Sequence, residues 1–173
     1  MRKSVNVRKL AIAGMLVAFT VALSGFSVPI GASKCFPIQH LINIVAGILL
    51  GPGYGVGMAF CSSLIRNLLG TGSLLAFPGS MVGAFLCAFL YKQTKRLSFA
   101  YAGELFGTAV LGGLLCYPIA SFVMGKEAAL FTYIFPFFVS SAGGTLCAIF
   151  FIGILSKSGL LAMCKNVMEG TVQ

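Results

Sequence analysis

Charge is scarce in this chain. Of 173 residues, 9% are charged, and only three of those are acidic, against 58% hydrophobic. With a mean hydropathy of +1.01, a water-soluble fold of this length could not hide so much apolar surface, which excludes an ordinary globular domain. There is no GxxxxGK[ST] phosphate loop, so the chain does not harvest ATP by that device. No paired aspartates suggest a metal motif, and the six cysteines, at 35, 61, 87, 116, 147 and 164, form no CxxC. They read as small packing residues. The one histidine, His40, has no serine placed with it for hydrolysis, so catalysis is poorly supported. No internal repeat of the kind that builds a two-fold alternating-access carrier is visible.

What the chain has in quantity is apolar sequence of helical length. A helix needs about 20 residues to cross a hydrocarbon layer of ~30 Å, and somewhat fewer or more when its geometry is re-entrant or tilted. Six segments qualify, two of them short: roughly Leu10–Phe26, His40–Leu50, Tyr54–Leu69, Leu74–Tyr91, Ser98–Val123 and Ala129–Leu155. They are separated by Gly51-Pro52-Gly53, by Gly70-Thr71-Gly72, by the basic turn Lys92–Arg96 and by Met124–Glu127. The expected fold is all-α, a single integral membrane domain over residues 1–173 with six transmembrane helices. The basic start and first apolar stretch also fit a secretory signal, but that stretch is long and further spans follow, so it reads as the first span.

The net charge of +9 follows topology rather than a nucleic-acid surface. Arg2, Lys3, Arg8, Lys9, Lys92, Lys95, Arg96, Lys157 and Lys165 fall on the side that carries both termini, and Lys34 and Lys126 on the other. By the positive-inside rule the termini face the cytoplasm of a bacterial inner membrane, and the 27–39 loop and the 70–73 and 124–128 turns face outward. Small residues at a spacing of four (Gly14/Ala18, Gly47/Gly51, Gly79/Gly83, Gly103/Gly107) let helix backbones approach closely in lipid.

Polar groups in such helices are expensive, so the few present are candidates for function. His40 and Asn43 share one face at the start of the second span, next to Gln39. Arg66 and Asn67 lie near the outer end of the third, where counting the helical rise places Arg66 roughly 20 Å above the cytoplasmic boundary. Pro78-Gly79-Ser80 loosens the outer end of the fourth span, and Tyr117-Pro118, Phe131, Tyr133, Phe135 and Phe137 bring aromatic surface to the same level. Gln39, His40, Asn43, Arg66, Asn67, Ser80, Tyr117 and Tyr133 are therefore the candidate substrate contacts. Together they describe an outward-facing pocket suited to a small, mostly uncharged heteroaromatic molecule, with Arg66 and Lys34 leaving room for a phosphorylated one. The same count places Glu104 about 10 Å from the cytoplasmic end of the fifth span, away from this pocket, where it pairs with Lys95 or Arg96 or takes up a proton.

Lys34-Cys35-Phe36-Pro37-Ile38-Gln39-His40, Leu50-Gly51-Pro52-Gly53-Tyr54 and above all the run Arg66-Asn67-Leu68-Leu69-Gly70-Thr71-Gly72-Ser73-Leu74-Leu75-Ala76-Phe77-Pro78-Gly79-Ser80 resemble the ThiW family of substrate-binding S components of energy-coupling factor (ECF) transporters. The resemblance spans about residues 8 to 155. It implies a six-helix S-component bundle that captures hydroxyethylthiazole, the thiazole precursor of thiamine, from outside. It also implies a transmembrane coupling subunit and two cytoplasmic ATPases as partners, so that ATP is used by those partners and no cofactor belongs to this chain. Gly14 and Ala18 match the small-residue motif that meets the coupling subunit, with Gly14 where alanine is usual, and Val28–Gln39 matches the family's lid. Residue spacing alone does not select thiazole over thiamine or another vitamin. It also leaves open a proton-coupled carrier or channel with Glu104 as relay. An intramembrane enzyme using His40 and Glu104 is disfavoured by their estimated depths in opposite leaflets.

Overall fold

The computed structural model describes residues 6–30, 33–125 and 129–169. Helix α1 (Val7–Ala22) starts where the Asn6 side chain accepts the Lys9 N–H at 3.2 Å. After it, strands β1 (Val28–Ile30) and β2 (Ser33–Cys35) pair antiparallel with Val28 opposite Cys35. Pro37 and Pro52 occupy the first helical positions of α2 (Pro37–Leu50) and α3 (Pro52–Leu68), where a missing N–H costs nothing. Between them Gly51 turns the chain at φ 83°. The end of α3 is closed by Thr71 and Gly72, whose N–H groups both return to the Arg66 carbonyl at 2.9 Å. Helix α4 (Ala76–Thr94) follows.

The next rod runs from Leu97 to Val123. It comprises α5 (Leu97–Phe106), a π-helical stretch Gly107–Gly112, α6 (Gly113–Pro118) and a second π-helical stretch Ile119–Val123. Helices α7 (Ile134–Lys157) and α8 (Leu160–Glu169) complete the chain. Three helical stretches, Val7–Gly25, Leu97–Val123 and Ile134–Lys157, are long and apolar enough to cross a membrane, and α2 is a shorter apolar helix. Phe106, Phe122, Leu146 and Phe150 lie exposed along these rods, an outward apolar surface that suits lipid rather than water.

The breaks at Gly51-Pro52, at 70–73 and at Lys92–Arg96 fall where the sequence places them. Three features differ. Helix α2 begins at Pro37, so Gln39 belongs to the helix and not to the preceding loop. That loop contains a short hairpin. The amphipathic α8 was not expected. Arg2, Lys3 and the part of the 124–128 turn from Lys126 to Ala128 lie outside the described residues.

Nine of the 14 residues of α2 are buried, which makes it the central post of the bundle. Backbone proximity explains several of the small residues. A Cβ at Gly47 would sit 2.9 Å from the Cys87 sulfur on α4, one at Gly103 2.8 Å from the Leu86 carbonyl, and one at Gly112 2.7 Å from the Gly79 Cα. The Gly79/Gly83 and Gly103/Gly107 pairs thus seat α4 against the Leu97–Val123 rod. Gly51 serves a turn instead of an interface, while Gly14 and Ala18 lie exposed, with nothing in the described chain within 4 Å of a Cβ at Gly14.

Candidate functional site

The polar side chains that the helices carry meet in one buried seam. Gln39, His40 and Asn43 come from the first two turns of α2, Ser63 and Arg66 from α3, Ser80 from α4, and Glu104 and Thr108 from the long rod. All are buried, Glu104 at 0% and Arg66 at 1% exposure. Burial of so many polar groups is tolerable only when they bond to one another.

They do. His40 Nδ1 lies 2.9 Å from Glu104 Oε1, which also accepts from Asn43 Nδ2 at 3.0 Å and from Thr108 Oγ1 at 3.3 Å. Because that oxygen already accepts from an amide, the His40 proton is assigned to Nδ1, donating to Glu104. The His40 Nε2 then makes no hydrogen bond among the described residues. Asn43 also donates to the Ser80 carbonyl at 3.3 Å, and the Ser63 and Ser80 hydroxyls share a hydrogen at 2.9 Å. Gln39 reaches Ser63 at 3.5 Å, and Arg66 Nη1 donates to Gln39 Oε1. The Arg66 guanidinium also donates to the Thr71 carbonyl at 3.4 Å and lies 4.1 Å over the Phe36 ring. Two atoms in the seam, Arg66 Nε and Glu104 Oε2, are buried without a partner.

Alongside the seam, between the N-terminal ends of α2 and α4, is a cavity of about 60 Å³. Its polar wall is Gln39, His40, Ser73, Ser80, Thr108 and Ser140, and Phe36 and Phe137 face it with aromatic surface. The segment that carries Phe36 is tied down, since the Phe36 N–H donates to Ser140 Oγ at 2.8 Å.

Among the residues singled out from the sequence, Gln39, His40 and Ser80 line the cavity, and Asn43 and Arg66 join the same network one layer behind. Asn67 holds the loop after α3, donating to the Ser63 and Ser73 carbonyls at 2.8 and 2.9 Å. Tyr133 packs on the cluster of Leu75, Cys116 and Ala120, and Tyr117 is half-buried on α6. Glu104 corrects the sequence-based count. Its side chain joins His40 at the cavity instead of lying apart from it and pairing with Lys95 or Arg96, so the two residues do not sit at separate depths. The reason is length: α2 has only 14 residues, roughly 21 Å of helix, so its first turn need not reach the outer boundary that a full span would reach. Thr108, Ser63 and Ser140 are further members that sequence reasoning passed over. Each is a hydroxyl in an apolar helix, Ser63 and Ser140 in the pairs Ser62-Ser63 and Ser140-Ser141, the same signal that drew attention to Ser80.

Comparison with curated proteins and with solved structures gives no match. A family model does match, the thiamine-precursor transporter protein (ThiW), over residues 10–158. That match covers the whole cavity and its network, and a seam of hydrogen-bonding side chains inside an apolar bundle is what a carrier of a small polar organic molecule requires. The chain belongs to the ThiW family of thiamine-precursor transporters.

Proposed function

We propose that this chain is the substrate-binding S component of an ECF-type importer: six spans in a bacterial inner membrane, both termini cytoplasmic, and the cavity open to the outside when the Phe36 segment lifts. The substrate is hydroxyethylthiazole or a close thiazole relative. The observation that carries this reading is the cavity wall. It combines aromatic faces with hydroxyl, amide and imidazole groups, and its one titratable member, His40, is already bonded to Glu104. A neutral ring with a hydroxyl arm suits such a wall. A phosphate monoester, at about −1.5 to −2 charge, would be buried beside a carboxyl group, and the cation of the described network, Arg66, already donates to Gln39 and Thr71 and lies over Phe36.

Delivery inward rests on a coupling subunit and two ATPases. Gly14 and Ala18 support this part of the reading, since they leave a flat strip of α1 exposed for another helix to approach. The test separates capture from delivery. The purified chain is expected to bind hydroxyethylthiazole with a Kd on the order of nanomolar. Gly14→Leu is expected to leave that Kd unchanged and to abolish ATP-dependent uptake by vesicles that contain the whole assembly. Normal uptake by Gly14→Leu would remove the coupling face, and absence of thiazole binding by the parent would remove the substrate. A proton-coupled carrier is the second reading, favoured by the buried, unpartnered Oε2 of Glu104. Uptake driven by a proton gradient in vesicles without the ATPases would establish it instead.

A further inference from the structure

A second cavity, of about 290 Å³, lies at the opposite ends of α2 and α4 from the first. Three lysines line it, each from a different helix: Lys9 of α1, Lys95 at the end of α4 and Lys165 of α8. Tyr91 forms part of the wall, and Ile48 and Leu49 supply apolar surface.

Each lysine is placed at some disadvantage to the fold alone. Lys9 sits in the first turn of α1, which contains no acidic residue, so its charge adds to the positive end of the helix dipole. Lys95 is the only non-glycine among the described residues with positive φ, at 57°, in a left-handed cap position where glycine is the usual choice. Lys165 donates to the Tyr91 hydroxyl and lies 4.9 Å from the centre of that ring, which holds its charge inside the cavity rather than out in solvent. The only ion pair among the described residues is His40 with Glu104, so none of the three is neutralised by a described carboxylate. Among the described residues these three converging cations have no counter-charge, and such a cluster attracts an anion.

The surroundings identify its source. Helix α8 is docked through Arg8, which donates to the Val167 carbonyl at 3.0 Å, and through Asn6, which donates to the Met168 carbonyl at 3.2 Å. It buries Leu161 and Met168 and leaves Leu160 and Met163 exposed, while Leu10, next to Lys9, is exposed on α1. Lysines flanked by outward apolar side chains at the basic end of a membrane bundle match an amphiphile with a charged head and acyl tails better than a soluble ion. Lys9 and Lys165 both fall outside residues 10–158, so the family match does not account for this site.

We infer that the cavity between α1, α4 and α8 holds the phosphate of an anionic phospholipid through Lys9, Lys95 and Lys165. This does not depend on the identity of the transported substrate. The test uses the full chain in detergent, titrated with phosphatidylglycerol, with phosphatidylcholine and with inorganic phosphate, and followed by native mass spectrometry. Phosphatidylglycerol is expected to bind in preference to phosphatidylcholine, and each lysine removed should weaken it roughly fivefold, so that Lys9→Gln with Lys165→Gln weakens it about 25-fold. Lys95→Gly provides the control for folding. It relieves the left-handed backbone, so thermal stability should hold or rise while phosphatidylglycerol affinity falls. Equal binding of the two lipids, or full affinity in the lysine variants, would overturn the site. Inorganic phosphate displacing the lipid and binding equally well alone would overturn the lipid as its source.

Discussion

Glu104→Ala is expected to destabilise the protein by about 3–5 kcal/mol, from a buried donor left without its acceptor together with the cavity left by the deleted side chain. A single oxygen, Oε1, is the acceptor for His40, Asn43 and Thr108. Asn43 and Thr108 each keep a second acceptor, the carbonyls of Ser80 and Gly79. The His40 Nδ1 keeps none, and a void opens where three helices meet. Glu104→Gln is the informative companion, because its amide oxygen can still take all three hydrogen bonds. Its NH₂ would then occupy the position of Oε2, beside Gly83 and without an acceptor, at a cost of about 1–3 kcal/mol. Chemical denaturation in mixed micelles should therefore rank wild type above Glu104→Gln above Glu104→Ala. An alanine variant as stable as the parent would show that the seam does not hold the helices together.

Gly144→Ala is also expected to be damaging, although it adds one methyl group. That methyl would lie 2.6 Å from the His40 Cβ and 3.0 Å from the Leu41 amide nitrogen, and closer still to the Pro37 carbonyl. These are atoms of the first turn of α2, and two belong to backbone that no rotamer change can move. Overpacking of this kind costs about 1–3 kcal/mol, and α7 must shift away from α2 to relieve it. Ser140, one turn earlier on α7, holds Phe36 in place, so the shift should also loosen the cavity wall. Gly14→Ala is the matched control, since a Cβ there meets nothing within 4 Å. Melting curves and ligand binding should show loss for Gly144→Ala and none for Gly14→Ala. Equal behaviour of the two would contradict the tight α2–α7 crossing.

Helix boundaries were legible because Gly and Pro mark them chemically. Gly51-Pro52 ends one helix and starts the next, and Thr71 and Gly72 cap α3 as their composition suggests. The lateral arrangement was only partly legible. Gly83 and Gly107 signalled a close crossing, and the glycine at 107 indeed lies against the one at 83. Nothing in the spacing showed that Gly144 would meet Pro37, because those residues are brought together by the placement of a short α2 among longer neighbours. The same shortness misled the depth count for Glu104. A count from one end of each segment assumes helices of full-span length, and α2 has only 14 residues. Helix α8 escaped notice because its apolar residues are too few for a span; their amphipathic pattern has meaning only once Leu161 and Met168 find the bundle.

The central claim is that the cavity beside His40 is where the thiazole sits. The most direct measurement is the labelling of Ala76→Cys, a half-buried lining position, by a water-soluble maleimide in the purified protein, with Lys92→Cys in the exposed basic turn as the reference. Hydroxyethylthiazole at ten times its Kd should slow labelling at position 76 roughly tenfold and leave the reference rate alone. Unchanged labelling at position 76, while calorimetry on the same sample still registers bound thiazole, would place the ligand elsewhere.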